Sequence, residues 1–139
     1  MVLRRVTPES INSLEKNEVF CFGSNEGGNH WGGAAKLALK WGAKLGQGFG
    51  LQGWTFAVPT KAGGIGWIGD TLPLENIQVY IERFLDCTES RPDLRFLMTA
   101  IGCGLAGLTP EQVAPLFHRA VEMENVCLPE SFWRVLEKS

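Results

Sequence analysis

Three times along the chain an apolar run ends in a cluster of glycines. Glu18-Val19-Phe20-Cys21-Phe22 leads into a stretch containing Gly23, Gly27, Gly28, Gly32 and Gly33. Trp54-Thr55-Phe56-Ala57-Val58-Pro59 leads into residues 60–69, with four more glycines. Residues 93–101 lead into Gly102-Cys103-Gly104-Leu105-Ala106-Gly107. The runs are nearly continuous rather than alternating, as expected for parallel strands covered on both faces. All 17 glycines lie between Gly23 and Gly107. Glycine costs a helix interior about 1 kcal/mol, so this crowding marks loops, and loops placed so regularly after strands point to function.

Between the strands the pattern changes to a helical period. Ala34, Leu37, Ala38 and Trp41 form one apolar face, and Ile77, Tyr80, Ile81, Phe84 and Leu85 another, opened by Pro73 and Glu75 and closed before Pro92. Thr109-Pro110-Glu111-Gln112 reads as a capping box with proline in the first turn, and Val113, Leu116, Phe117, Ala120 and Val121 as the buried face behind it. Pro115 should kink that helix or delay its start. Thr7-Pro8-Glu9-Ser10 predicts a short first helix with Ile11 and Leu14 inward. Residues 125–129 predict a last short strand, and residues 131–138 a terminal helix resting on Phe132, Trp133 and Leu136.

The predicted order is therefore α-β-α-β-α-β-α-β-α, an α/β fold of three layers, α/β/α, with a mainly parallel sheet, in one domain over residues 1–139. Ligands of such sheets bind beyond the carboxyl ends of the strands. The three glycine-rich segments should gather there. Glycine lets the backbone approach a ligand closely, and amides directed from such a loop toward a helix start cradle anions, usually phosphate.

Composition narrows the classes. The chain is 45% hydrophobic and 20% charged, an ordinary globular mixture. A formal charge of −2 argues against broad electrostatic binding of nucleic acid. Cys21, Cys87, Cys103 and Cys127 form no C-x-x-C pair, which predicts reduced thiols and no zinc site. Met1-Val2-Leu3-Arg4-Arg5 has no apolar leader and no run is long enough to span a membrane, so a cytoplasmic protein is expected.

Residues 101–108, Ile-Gly-Cys-Gly-Leu-Ala-Gly-Leu, resemble the phosphate-binding loop of macro domains, the ADP-ribose-binding α/β/α family. They are especially similar to the branch that removes ADP-ribose from modified glutamates. Trp31-Gly32-Gly33-Ala34-Ala35-Lys36 resembles the family's first glycine loop and following helix. Val58-Pro59-Thr60-Lys61 falls where that branch carries a strand ending in Thr-Lys, with a catalytic lysine. The pattern from Phe22-Gly23-Ser24-Asn25 to Leu116-Phe117 also resembles macro-like non-structural proteins encoded by phages. Together the matches span roughly residues 19–120.

The resemblance implies binding of ADP-ribose or a related nucleotide diphosphate through Gly23, Ser24, Asn25, His30, Gly32, Gly33, Ala34, Thr60, Lys61, Gly102, Cys103, Gly104, Leu105, Ala106 and Gly107. Lys61 is the implied catalytic residue of an ADP-ribosyl hydrolase, and no metal or cofactor is implied. The implied partners are the nucleotide and an ADP-ribosylated protein. Three departures qualify this. The branch has an aspartate where this chain has Ala106, many macro domains read adenine with an aspartate where only Asn25 and Glu26 stand nearby, and Trp31 replaces a small residue.

Read as chemistry, Lys61 needs an acid or base partner to react, and Glu26 or Asp70 would have to supply it. It is better suited to hold an anion. Cys103 as a nucleophile with His30 as base is a weaker reading than a packed thiol, and His118 reads as a surface or half-buried helical histidine. Trp31, Trp54 or Trp67 could stack on a base or pack in the core. Two functions remain: a nucleotide-binding module with weak hydrolase activity, or a non-enzymatic interaction protein that has lost the ligand.

Overall fold

The computed structural model describes residues 4–138; Met1, Val2 and Leu3, on which the N-terminal expectation above partly rests, and Ser139 lie outside them. Among the described residues a six-stranded sheet is accompanied by four α-helices. The strands are β1 (Glu18–Asn25), β2 (Gly50–Gln52), β3 (Thr55–Gly64), β4 (Trp67–Thr71), β5 (Arg95–Met98) and β6 (Val126–Cys127). The helices are α1 (Gly33–Ala38), α2 (Leu74–Glu89), α3 (Pro110–Val113) and α4 (Glu130–Glu137).

The sheet runs β2-β3-β1-β5-β6, with β4 paired to β3. The centre, β3-β1-β5-β6, is parallel, while β2 and β4 are antiparallel to β3, so the sheet is mixed. Alternation along β1 divides the core between its faces. Val19 and Cys21 join Phe56, Val58 and the apolar sides of α2 and α4 in the larger cluster. Phe20 and Phe22 meet Ala35 and Ala38 of α1 in the smaller one. Phe56, Phe84 and Phe96 meet edge to face, with centroids 4.9 to 6.3 Å apart.

Several sequence expectations are corrected. No helix forms over residues 7–14. Instead Val6 bridges Leu128 in parallel, and the Thr7 amide donates to Leu128 at 2.9 Å. Ile11 and Leu14 reach the smaller core from an irregular segment. Residues 46–53, read as a loop, contain β2. Glycine is needed there for close backbone crossing, because a Cβ on Gly48 would strike the carbonyl oxygens of Asn25 and Glu26. The glycine-rich segment of residues 60–69 is a hairpin, β3 running on through Gly64 and returning as β4. Glycines that promise a loop in sequence are carried here by ladder hydrogen bonds.

The helix after the first glycine loop lasts only six residues before a 3-10 turn over Leu39–Trp41, and it buries Ala35 and Ala38, leaving Leu37 exposed. The stripe lies one residue along from the predicted face. The Thr109 capping box is present, with Gln112 Oε1 accepting from the Thr109 amide at 2.9 Å. Pro115 then acts as expected. It has no N–H to continue the α pattern, and the chain becomes a 3-10 helix over Ala114–Glu122 that buries Ala114, Phe117 and Ala120 at a period of three.

Candidate functional site

At the carboxyl ends of the parallel strands β1, β3 and β5 lies a cleft of about 290 Å³. Strand β1 contributes Gly23, Ser24 and Asn25, and β3 contributes Thr60 and Lys61. The first glycine loop and the start of α1 contribute Asn29, Gly32, Gly33, Ala34 and Ala35. From the far side come Thr99, Ala100, Ile101, Gly102, Gly104, Leu105 and Ala106, and β4 adds Ile68. Two of the glycine-rich segments therefore meet as loops across the cleft. The third enters as a hairpin, through Lys61 and Ile68.

The electrical character of this surface is one-sided. Among the described residues Lys61 is the only charged one in the lining, which holds no carboxylate. Its ammonium makes no ion pair or hydrogen bond among the described residues. Nor do the amides of Gly32, Gly33, Ala34, Gly102, Gly104, Leu105 and Ala106 donate to any acceptor among them. Neighbouring amides are used internally: Cys103 donates to Ala100 at 3.2 Å, Gly107 to Gly104 at 3.0 Å and Leu108 to Gly102 at 2.8 Å. Those three bonds shape the second loop and leave its remaining N–H groups available. The helices that follow, α1 with six residues and α3 with four, are too short to add much dipole. What positive character the main chain offers comes from the loop amides themselves.

Hydrogen bonds from residues of the lining and its surroundings fix the two loops. Asn25 Oδ1 accepts from the Asn29 amide and its Nδ2 donates to the Asn29 carbonyl, each at 3.0 Å. Asn29 Nδ2 in turn donates to the carbonyls of Gly64 at 2.9 Å and Trp67 at 2.7 Å, tying the loop to the hairpin. Ser24 Oγ donates to Gly48. On the other side, Thr71 Oγ1 donates to the Ala106 carbonyl at 2.7 Å. Thr71 is also the cross-strand partner of Lys61, so Ala106 and Lys61 are brought to the same corner.

Of the residues singled out in the sequence, His30, Cys103 and Gly107 do not line the cleft. His30 is 1% exposed and meets the edge of Phe22, centroids 5.2 Å apart. Neither ring nitrogen has a hydrogen-bond partner. Burial pushes its imidazole below the ordinary value, opposed by the side chain of Gln52 and the main chain of Lys44 and Gln47. Gln52 is itself committed, accepting from the Lys44 amide at 2.6 Å and donating to Gln47 at 3.2 Å. Cys103 packs against the larger core, and burial raises its thiol, the wrong direction for a nucleophile. Gly107, at φ +77°, closes the turn. His118 is exposed.

Neither proposed substitute carboxylate enters the cleft. Glu26 is exposed and accepts a hydrogen bond from Tyr80, and Asp70 is exposed on β4. Trp54 belongs to a separate depression with Trp41 at the amino-terminal end of β1. Trp67 lies over Gly64 and Gly69, on the face of β4 opposite Ile68. None of the three lines the cleft; Trp31, 56% exposed, precedes the lining residue Gly32 in sequence. Asn29, Ala35, Ile68, Thr99, Ala100 and Ile101 line the cleft outside the set read from the sequence. Ile68 carries no signal there, because the hairpin that brings it in reads as loop.

Among the described residues no helix is long and apolar enough to cross a membrane, and no group of three or more His, Cys, Asp or Glu side chains could hold a metal ion. Comparison of the chain with protein-family models, curated proteins and solved structures gave no match.

Proposed function

We propose that this chain binds ADP-ribose or a related nucleotide diphosphate, with its two glycine loops around the diphosphate, on a three-layer, macro-domain-like α/β/α frame. The observation that carries this reading is the set of unpartnered main-chain amides facing one cleft together with the lone ammonium of Lys61. Gly102 is buried and Ala106 half-buried, while Gly32, Gly33, Ala34, Gly104 and Leu105 are exposed and open to a ligand, so an anion with several acceptor oxygens can reach them together. The two core clusters on opposite faces of the sheet support the layered frame. The position at the strand carboxyl ends supports the placement of the site.

Binding is the function, with hydrolysis weak or absent. Ala106 shares a corner with Lys61 and offers no acid or base to it. Lys61 therefore serves as a binding charge. An ADP-ribosylated protein is the corresponding macromolecular partner, its modification entering the cleft. A second reading, an interaction protein without a nucleotide, draws on the exposed Ile65 and Leu105 beside the same cleft.

A thermal-shift panel of ADP-ribose, ADP, NAD and inorganic pyrophosphate separates the two. A ligand specific to the folded state at a hundredfold excess over its Kd stabilises by about 2.7 kcal/mol. Stabilisation by ADP-ribose supports the nucleotide reading, and its absence across the panel favours the interaction protein.

A further inference from the structure

We infer that the cleft selects its ligand by diphosphate and pentose and not by base, so that nucleoside diphosphate riboses carrying different bases bind alike. This rests on the nucleotide reading above. Base recognition by hydrogen bonds needs side-chain or main-chain groups free to complement the base edge. Here the neutral polar side chains of the lining are turned to the protein, and the one charged group, Lys61, is a donor suited to the diphosphate. Asn25 is 5% exposed and spends both polar atoms of its amide on Asn29. Asn29 spends its amino group on Gly64 and Trp67. The hydroxyls of Ser24, Thr60 and Thr99 donate to the carbonyls of Gly48, Ser24 and Cys21. The free amides lie in the two glycine loops, where the diphosphate would take them.

Asn29 Oδ1 makes no hydrogen bond among the described residues, and the donating hydroxyls of Ser24, Thr60 and Thr99 keep accepting lone pairs, although Ser24 and Thr60 are only 4% exposed. These groups are acceptors alone: they can answer an exocyclic amine but cannot complement the mixed donors and acceptors of a whole base edge. The contacts offered at the cleft are otherwise apolar: Ile68 and Leu105, 38% and 85% exposed, with the exposed Trp31 next in sequence to Gly32. Apolar contact and aromatic stacking tolerate any base, since every base has a π face. The size of the cleft agrees. At about 290 Å³ it stands at the lower edge of the roughly 300–1,000 Å³ of small-molecule pockets. A phosphorylated pentose fills such a space, leaving the base at the mouth.

The test is isothermal titration of the intact chain with ADP-ribose and with the same molecule carrying guanine, hypoxanthine or uracil in place of adenine. The four dissociation constants are expected within about fivefold of one another, where a site built on hydrogen bonds to its ligand rejects analogues lacking them by about 10⁴-fold. ADP-ribose binding with a loss of more than about tenfold for every other base overturns the inference and leaves the diphosphate reading standing. A loss confined to hypoxanthine and uracil assigns base reading to Asn29 Oδ1 and overturns it equally. Failure of all four to bind overturns the diphosphate reading, and the inference with it.

Discussion

Tyr80 donates its phenolic hydrogen to Glu26 Oε2 at 2.6 Å, which holds that carboxylate against α2 and outside the cleft. Burial, helped by this bond, pushes the Tyr80 hydroxyl up to about 12. The first glycine loop therefore has an acid in sequence that its cleft cannot use.

Catalysis follows from that arrangement. The unaltered chain should release little or no ADP-ribose from a glutamate-modified acceptor, measured against an uncatalysed control. Ala106→Asp should raise the rate by at least about tenfold, short of the roughly 10²–10⁴ that a fully positioned acid or base contributes. Lys61→Ala in that background should remove the gain. Rapid release by the unaltered chain would show that a carboxylate reaches the site after all.

Stability should fall on mild acidification, and His30 gives the reason. Its folded-state pKa lies below the ordinary 6.5, chiefly through burial. Below pH 6.5 the unfolded chain takes up a proton that the folded chain refuses, so the unfolded state gains. The stability owed to neutral His30 is complete above that pH and is lost progressively as pH falls from about 6.5 toward the lower folded value. Melting curves between pH 7.5 and 5.5 should show the decline, and His30→Gln should flatten it. An unchanged slope in the variant would contradict this assignment.

Asn25 links fold and site. Asn25→Ala leaves the Asn29 amide and carbonyl without their partner, at a cost of about 1–3 kcal/mol for groups so poorly hydrated. Chemical denaturation should record that loss, and ADP-ribose affinity should weaken with it because the first loop is no longer latched. Full affinity in the variant would mean that the loop needs no latch.

Much of this geometry is legible in the residues, for identifiable reasons. Long amphipathic α2 declares itself through Ile77, Ile81, Phe84 and Leu85, all fully buried. Thr109 and Gln112 mark their own helix start, and Pro115 the change of period behind it. The glycines of the two true loops stand where strands end. The hairpin was hidden because Lys61, Gly63 and Gly64 owe their extended form to pairing with Thr71, Ile68 and Trp67, a tertiary fact. The first helix failed because Thr7 has an amide partner in Leu128, more than a hundred residues away, that no local capping signal reveals. His30 looked like a ligand group because loop histidines usually are exposed, and only packing against Phe22 places it inside.

Glycine substitutions separate close packing from ligand access. A Cβ on Gly104 meets nothing within 4 Å, and Gly104 does not have a positive φ. Gly104→Val should therefore leave far-UV circular dichroism nearly unchanged while abolishing stabilisation by ADP-ribose. Gly28→Val is the contrast: at φ +69° its Cβ would strike the main chain of Gly46 and Gln47, and the fold itself should suffer. Equal ligand stabilisation of Gly104→Val and the unaltered chain would remove the second loop from the site.

The most direct measurement is a titration of the ¹⁵N-labelled chain with ADP-ribose, following each amide by heteronuclear NMR. The amides of Gly32, Gly33, Ala34, Gly102, Gly104, Leu105 and Ala106 have no acceptor among the described residues. They should move downfield together as phosphate oxygens take them up, with the already bonded amides of Gly107 and Leu108 moving far less. Saturable binding whose shifts avoid both loops, or cluster at the Asn12 and Trp54 end of the sheet, would contradict the diphosphate cradle.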